Sequence, residues 1–231
     1  MIRGRDVPIS KLRRCFDSIA SQTDQQWGLL VVDAGSVNGM ADYVSEIISP
    51  RYQERLTMYR NAVPVTPVEN IYRAVHTLCK NPRSIIVMPD ADDAFLRSDA
   101  ITYIKSAYEN GADLAVGGLL RTDKQAFYPA TFENPRRSRG GNVWQPLRTF
   151  RKYLFDAIRP DDLKASGAWV PHTEDWAVML PMAEMAKNPV QFQRTIYLYE
   201  PSPLKGTLPK DERERLIAKI VSKRPYKELA E

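Results

Sequence analysis

The stretch Ser84-Ile85-Ile86-Val87-Met88-Pro89-Asp90-Ala91-Asp92-Asp93 constrains this chain more than any other. Ile85–Met88 has the length and β-branching of a buried strand. It stops abruptly at three carboxylates, Asp90, Asp92 and Asp93. In open α/β sheets, ligands bind beyond the carboxyl ends of the strands. Asp90 and Asp92 are two residues apart, so in extended backbone their side chains share a face. Two hard oxygen donors on one face suit Mg²⁺ or Mn²⁺, with a phosphate completing the shell. Aspartate-rich loops also arise from turn chemistry alone, and these residues by themselves leave both readings open.

The surrounding pattern predicts the sheet that such a strand needs. Ser10 is placed to cap a helix carrying Leu12, Cys15, Phe16 and Ile19 at helical spacing. Trp27–Val32 reads as an apolar strand ending at Asp33-Ala34-Gly35-Ser36. Met40–Ile48 reads as a helix stopped by Pro50, Leu56–Tyr59 as a short strand and Val68–Leu78 as a helix. Strand and helix alternate, which predicts an α/β fold with a mostly parallel sheet and helices on both faces. Farther on, Ser98 is expected to cap a helix through Tyr108, ended by Gly111, and Leu114–Leu120 reads as a strand. Residues 133–142 read as a mobile, charged loop. Phe150–Ile158 is expected to be helical, Thr173 to cap a helix over Glu174–Lys187, and Val190–Tyr199 to be a strand. Pro209 to Lys223 reads as a solvated amphipathic helix packed by Leu216, Ile217 and Ile220, in preference to a membrane-binding one.

Charge narrows the partners. The 231 residues carry a net +5, with a pI of about 9.1. That balance suits a phosphate-bearing ligand or an anionic membrane surface. No Lys/Arg block is interleaved with aromatics, so nucleic acid is not expected as a partner. Cys15 and Cys79 lie in apolar helical patterns and are expected to be buried free thiols. No apolar run reaches membrane-spanning length, and Met1–Asp6 lacks a signal peptide's apolar core. A cytoplasmic compartment is therefore expected, with peripheral association at the inner face of the membrane as its extension.

Four motifs, in this order, resemble those of a family-2 glycosyltransferase with the GT-A fold. They are Cys15-Phe16-Asp17-Ser18-Ile19-Ala20-Ser21-Gln22-Thr23, Leu30-Val31-Val32-Asp33-Ala34-Gly35-Ser36, Met88-Pro89-Asp90-Ala91-Asp92-Asp93 and Thr173-Glu174-Asp175-Trp176. The resemblance implies transfer of a sugar, with inversion, from a nucleotide-diphosphate sugar (a UDP-sugar by family habit) to a glycan or glycolipid acceptor. It assigns Mn²⁺ or Mg²⁺ to Asp90 and Asp92, and nucleotide-sugar binding to Arg5, Asp33, Gly35, Asn70, Asp90 and Asp92. It makes Asp175 the catalytic base, with Glu174 orienting neighbours or the acceptor. The first turn of a helix favours the ionised form of an acid such as Asp175, although an acid there can also serve only the helix. The resemblance also divides the chain into a nucleotide-sugar-binding half (1–95), an acceptor-binding half (96–208) and a C-terminal tail (209–231). Trp169 and Trp176 read as packing before sugar stacking, His76 as structural, and His172 as either structural or a diphosphate contact.

Three departures matter. Ala34 stands where the family has a second acid, which bears on base recognition. Lys205 stands where the family often has a metal-binding histidine and is a candidate diphosphate contact. Ile2-Arg3-Gly4-Arg5-Asp6 looks like the turn after the family's first strand, so that central strand is expected to be lacking, or reduced to a stub built from Met1–Arg3. An incomplete, poorly stable catalytic domain is the corresponding expectation, because unpaired backbone groups would be left buried. The alternative function is a truncated or degenerate homologue that binds nucleotide or a partner without turnover.

Overall fold

Short apolar runs separated by amphipathic helical stretches bury both their faces only as a helix-covered sheet. The computed structural model, which describes residues 1–125, 131–137, 144–201 and 208–229, has this architecture. The first half runs β1 (Ile2–Gly4), α1 (Ile9–Ala20), β2 (Leu29–Asp33), α2 (Met40–Tyr43), α3 (Ser49–Tyr52), β3 (Leu56–Arg60), α4 (Pro67–Leu78), β4 (Ile85–Met88) and β5 (Ala94–Phe95). The second half runs α5 (Ala100–Glu109), β6 (Leu114–Arg121), β7 (Arg148–Arg151), α6 (Lys152–Asp156), β8 (Lys164–Ala165), β9 (Ala168–Trp169), α7 (Glu174–Met185), β10 (Pro189–Tyr199) and α8 (Lys210–Val221).

The strands β1, β2 and β3 pair in parallel, with Ile2 opposite Val31 and Leu29 opposite Leu56. A second, mixed group has the order β4-β7-β6-β10-β5. Among the described residues, one isolated parallel bridge, Arg3 to Asp90, joins the two groups. Side-chain alternation then divides the core between the two faces. Ile86 and Met88 enter one apolar cluster with α4, α6 and α7, while Ile85 and Val87 pack on the other with α1 and α5.

Several boundaries differ from the sequence expectation, each for a local reason. Ile2–Gly4 is a strand and not part of a turn, so the first strand exists as a three-residue stub. Pro8 occupies the cap position of α1, which places Ser10 inside the helix. Pro50 does not stop its helix: a π-helical turn, Val44–Ile48, leads into α3, and Pro50 sits in its first turn. Asp99, not Ser98, precedes α5. Phe150 lies in β7, which pairs antiparallel with both β4 and β6, so only Lys152–Asp156 is helical. Pairing on both edges outweighs the local helical spacing of that segment. Thr173 precedes α7 in left-handed backbone (φ 59°) and makes no side-chain cap. α7 itself ends at Met185. In the expected mobile loop, Pro135–Arg137 form a helical turn; residues 138–142 lie outside the described residues.

The thiols of Cys15 and Cys79 are free, the first buried and the second half-buried. Helix α8 packs through buried Ile220 and partly buried Ile217 and Val221. Among the described residues, no helix is long and apolar enough to cross a membrane.

Candidate active site

The acidic turn after β4 is held by its backbone. The Asp93 N–H closes the turn onto the Asp90 carbonyl, 3.1 Å away. The Tyr197 hydroxyl of β10 accepts the Asp90 N–H at 2.9 Å and donates to Asp93 Oδ2 at 2.9 Å. The Glu200 N–H donates to Asp93 Oδ1, and Arg14 donates to the Asp92 carbonyl. Asp93 therefore staples the turn to β10. Burial, reinforced by Asp90, pushes its pKa up to about 7 against the pull of those hydrogen bonds.

This shift has a stability consequence. Folded Asp93 keeps its proton to about pH 7, whereas an unfolded aspartate loses it near 3.8. Between those values the folded state binds the extra proton, so this residue's effect is a loss of stability as pH rises from about 4 to about 7, of up to about 4 kcal/mol. Asp93→Asn is expected to flatten that slope. Urea midpoints at pH 5 and pH 8 provide the check, and parallel slopes in the two proteins would refute it.

Arg3 is where the two acidic motifs meet. Its guanidinium lies 3.0 Å from Glu174 Oε1 and 3.5 Å from Asp90 Oδ1. The strand β1 delivers Arg3 to its carboxyl end, and α7 delivers Glu174 and Asp175 in its first turn. Burial opposes ionisation of Glu174, but Arg3 and Arg148 outweigh it and hold its pKa below the usual carboxylate range. Asp175 goes the other way. Burial pushes it up and Glu174 adds to that, against the pull of Arg148 and Arg213. Adjacent acids are thus driven apart, one firmly ionised and one with a raised proton affinity, the arrangement that separates roles in acid–base sites.

On the other flank of β1, Asp33 is fully buried and accepts the Ser36 N–H at 3.1 Å, closing the turn after β2. Gly35 sits at φ +81°, and a Cβ there would lie 2.9 Å from the Pro64 nitrogen, so backbone approach excludes a side chain. Asn70 accepts from Asn61 Nδ2 at 2.8 Å, and the same nitrogen reaches the Asp33 carbonyl at 2.7 Å. Asp33, Gly35 and Asn70 therefore form one neighbourhood. Arg5 is exposed beside it, 3.5 Å from Asp6, whose N–H and carboxylate bond Ser36 and Val37.

Other predicted positions are peripheral. Trp176 is buried edge-on against Trp144, and Trp169 packs on Tyr72. His76 pairs with Asp156 at 3.3 Å. His172 is exposed just before α7, and Lys205 lies outside the described residues. Among the described residues, no three His, Cys, Asp or Glu side chains gather as a metal cage. Asp90 and Asp92 supply the hard carboxylate oxygens that Mg²⁺ and Mn²⁺ take, so the donor set fits a shell completed by a ligand. Sequence reasoning missed Arg3 and Asn61, and it placed Arg148 in the stretch leading to the acceptor-side helix without a contact. Arg3 had a signal, an arginine at the carboxyl end of a strand adjoining the acidic turn, which reading Ile2–Asp6 as a turn concealed.

The family model described as Glycosyl transferase family 2 matches residues 9–165. PGL/p-HBAD biosynthesis glycosyltransferases of Mycobacterium bovis and Mycobacterium tuberculosis are 24% identical over 156 residues, covering 66% of this chain and 59% of theirs. The chain thus spans somewhat under two thirds of the length of these relatives. The structure of S. aureus TarS 1-349 in complex with UDP superposes with a TM-score of 0.65 at 15% identity, covering 96% of this chain and 69% of that one. The mannosyltransferase PcManGT from Pyrobaculum calidifontis, in complex with GDP-Man and Mn²⁺, gives a TM-score of 0.59 at 14% identity, covering 89% of this chain and 56% of that one. With the matched region running from α1 to β8 and the fold shared over nearly the whole length, this chain belongs to the family-2 glycosyltransferases and has the GT-A fold.

Proposed function

We propose that the protein transfers a sugar, with inversion, from a nucleoside-diphosphate donor to a hydroxyl of a glycan or glycolipid acceptor. The observation that carries this reading is the Arg3 guanidinium, which spans from Asp90 to Glu174 and so joins the donor-side acids to the acceptor-side helix. The Asp33–Gly35–Asn70 neighbourhood holds the nucleoside, with Arg5 beside it. Asp175 takes the proton of the acceptor hydroxyl as it attacks the anomeric carbon, which requires its ionised form. Glu174, kept ionised, fixes Arg3 next to the position of the leaving diphosphate. A Mn²⁺ or Mg²⁺ ion held by Asp90 and Asp92 would supply Lewis-acid neutralisation of that leaving group. UDP in one structural neighbour and GDP-Man with Mn²⁺ in another support a nucleotide-sugar donor, and Ala34 leaves the base to be found by experiment. A cytoplasmic site of action, peripheral to the inner face of the membrane for a lipid-linked acceptor, belongs to the same proposal.

Donor hydrolysis across UDP-, GDP- and dTDP-sugars, with and without Mn²⁺ or Mg²⁺, tests the reading. Metal-stimulated turnover of one donor is expected. Asp92→Ala is expected to remove the metal dependence of nucleotide binding in a titration. Nucleotide binding without turnover of any donor or acceptor would establish the alternative, a homologue that binds but does not catalyse.

A further inference from the structure

Helix α8 carries an apolar stripe that is interrupted by a charge at its start. Leu216, Ile217, Ile220 and Val221 are buried or half-buried, at the spacing of one helix face. Continued one turn back, that stripe falls on position 213, where the sequence has Arg213. Arg213 is half-buried too, whereas its charged neighbours Glu212, Glu214 and Arg215 are exposed. A helix that only had to cover apolar surface would gain from an apolar side chain at that position. Arginine there keeps its charge at every working pH.

Tertiary contacts carry this position to the acids that open α7. Ile220 lines a crevice with Ala177, Leu180 and Pro181 of α7. The Tyr226 N–H donates to Glu184 Oε2 at 3.0 Å, and the Leu229 N–H to the Met185 carbonyl at 3.1 Å. The chain from Ile220 to Leu229 thus advances along α7 in the same direction. Arg136 holds it there, pairing with Glu184 and donating to the carbonyls of Val221 and Lys223. Seven residues of helix span about 10 Å, which brings Arg213 back from Ile220 to the level of α7's first turn. Its charge is felt there, favouring the ionised form of Asp175. Glu174 of the same turn opposes that effect and Arg148 of β7 adds to it, while Arg3 of β1 is close enough for Asp175 to act on it. Arg3 and Arg148 have other partners, Glu174 with Asp90 for the first and the Trp144 carbonyl for the second.

We propose that α8 is a working part of the acceptor half and that Arg213 is a positioning residue, standing beside the first turn of α7 as counter-cation to the Asp175 carboxylate. It lies outside residues 9–165, where the family model matches. The effect on transfer rests on Asp175 being the base; the placement of Arg213 does not.

The test compares Arg213→Met, Arg213→Lys and Arg213→Glu with Arg215→Met, a change at an exposed neighbour outside the stripe, all in the full chain. Aspartate carboxyls labelled with carbon-13 are titrated by NMR without donor or acceptor, and Asp175→Asn assigns the signal. The Asp175 midpoint is expected to rise by about one pH unit in Arg213→Met, the lower end for a lost charge partner, and further in Arg213→Glu. Arg213→Lys keeps the charge, so it and Arg215→Met are expected to leave the midpoint within a few tenths of the parent. Arg213 is half-exposed, so urea midpoints are expected to stay near the parent. On the rising limb of the pH–rate profile, transfer by Arg213→Met is expected to fall about tenfold and to recover at higher pH, with donor KM unchanged. An Asp175 midpoint that stays in place in Arg213→Glu overturns the proposal, and so does an equal displacement in Arg215→Met. A displaced midpoint with an unmoved rate limb upholds Arg213 beside Asp175 and removes Asp175 as the base.

Discussion

Asp175→Asn is expected to lower sugar transfer by about 10²–10⁴-fold, the usual contribution of a general base, while nucleotide affinity stays within a few-fold of the parent. Asparagine keeps the shape but cannot accept the acceptor's proton. The residues proposed to hold the donor, Asp33, Gly35 and Asn70, are tied together through Asn61 and the turn after β2, away from α7. The raised proton affinity of Asp175, caused first by burial, adds a signature: transfer in the parent should rise with pH as this carboxyl ionises. Single-turnover rates across pH, alongside nucleotide titration, separate the two effects. Near-parental turnover in the variant would remove Asp175 from the mechanism. Lost nucleotide binding together with lost turnover would make its role structural.

Arg148→Met should destabilise the fold by about 3–5 kcal/mol, the usual cost of stripping one partner from a buried charged network. Arg148 is only 6% exposed, and its Nε donates to the Trp144 carbonyl at 2.8 Å. Its charge lowers the proton affinity of both Glu174 and Asp175. Without it the Asp175 carboxyl holds its proton to higher pH, so the rising limb of the pH–rate profile should move upward. Arg148→Lys, which keeps the charge without the planar fork, should move that limb less. Urea midpoints and pH–rate profiles together test this. A limb that stays in place while the midpoint falls would confine Arg148 to packing.

Legibility followed the range of the interaction that decides each feature. The strand Ile85–Met88 has its predicted bounds because four apolar residues between polar turns leave no other reading. The helix around Ile71 was legible from apolar spacing. Phe150 was misread as helical because β7 exists only through its partners β4 and β6, which lie far off in sequence. The helix over 40–52 passes Pro50 because its apolar side chains, Met40, Val44 and Ile48, are buried against the core, a gain that no local rule registers.

The same division applies to the candidate site. By itself the sequence determined that acids follow β4 and open α7, that a glycine closes the turn after β2, and that the family is a glycosyltransferase one. These rest on periodicity, turn chemistry and motif order, all carried by neighbouring residues. Only the tertiary structure decided that Arg3 spans Asp90 and Glu174, that Arg148 bears on Asp175, and that Asp93 is held by Tyr197 as a staple while Asp90 bridges to Arg3. Proton affinities and ion pairs depend on burial and on charges brought close from distant parts of the chain, and those distances come into being only when the strands pair.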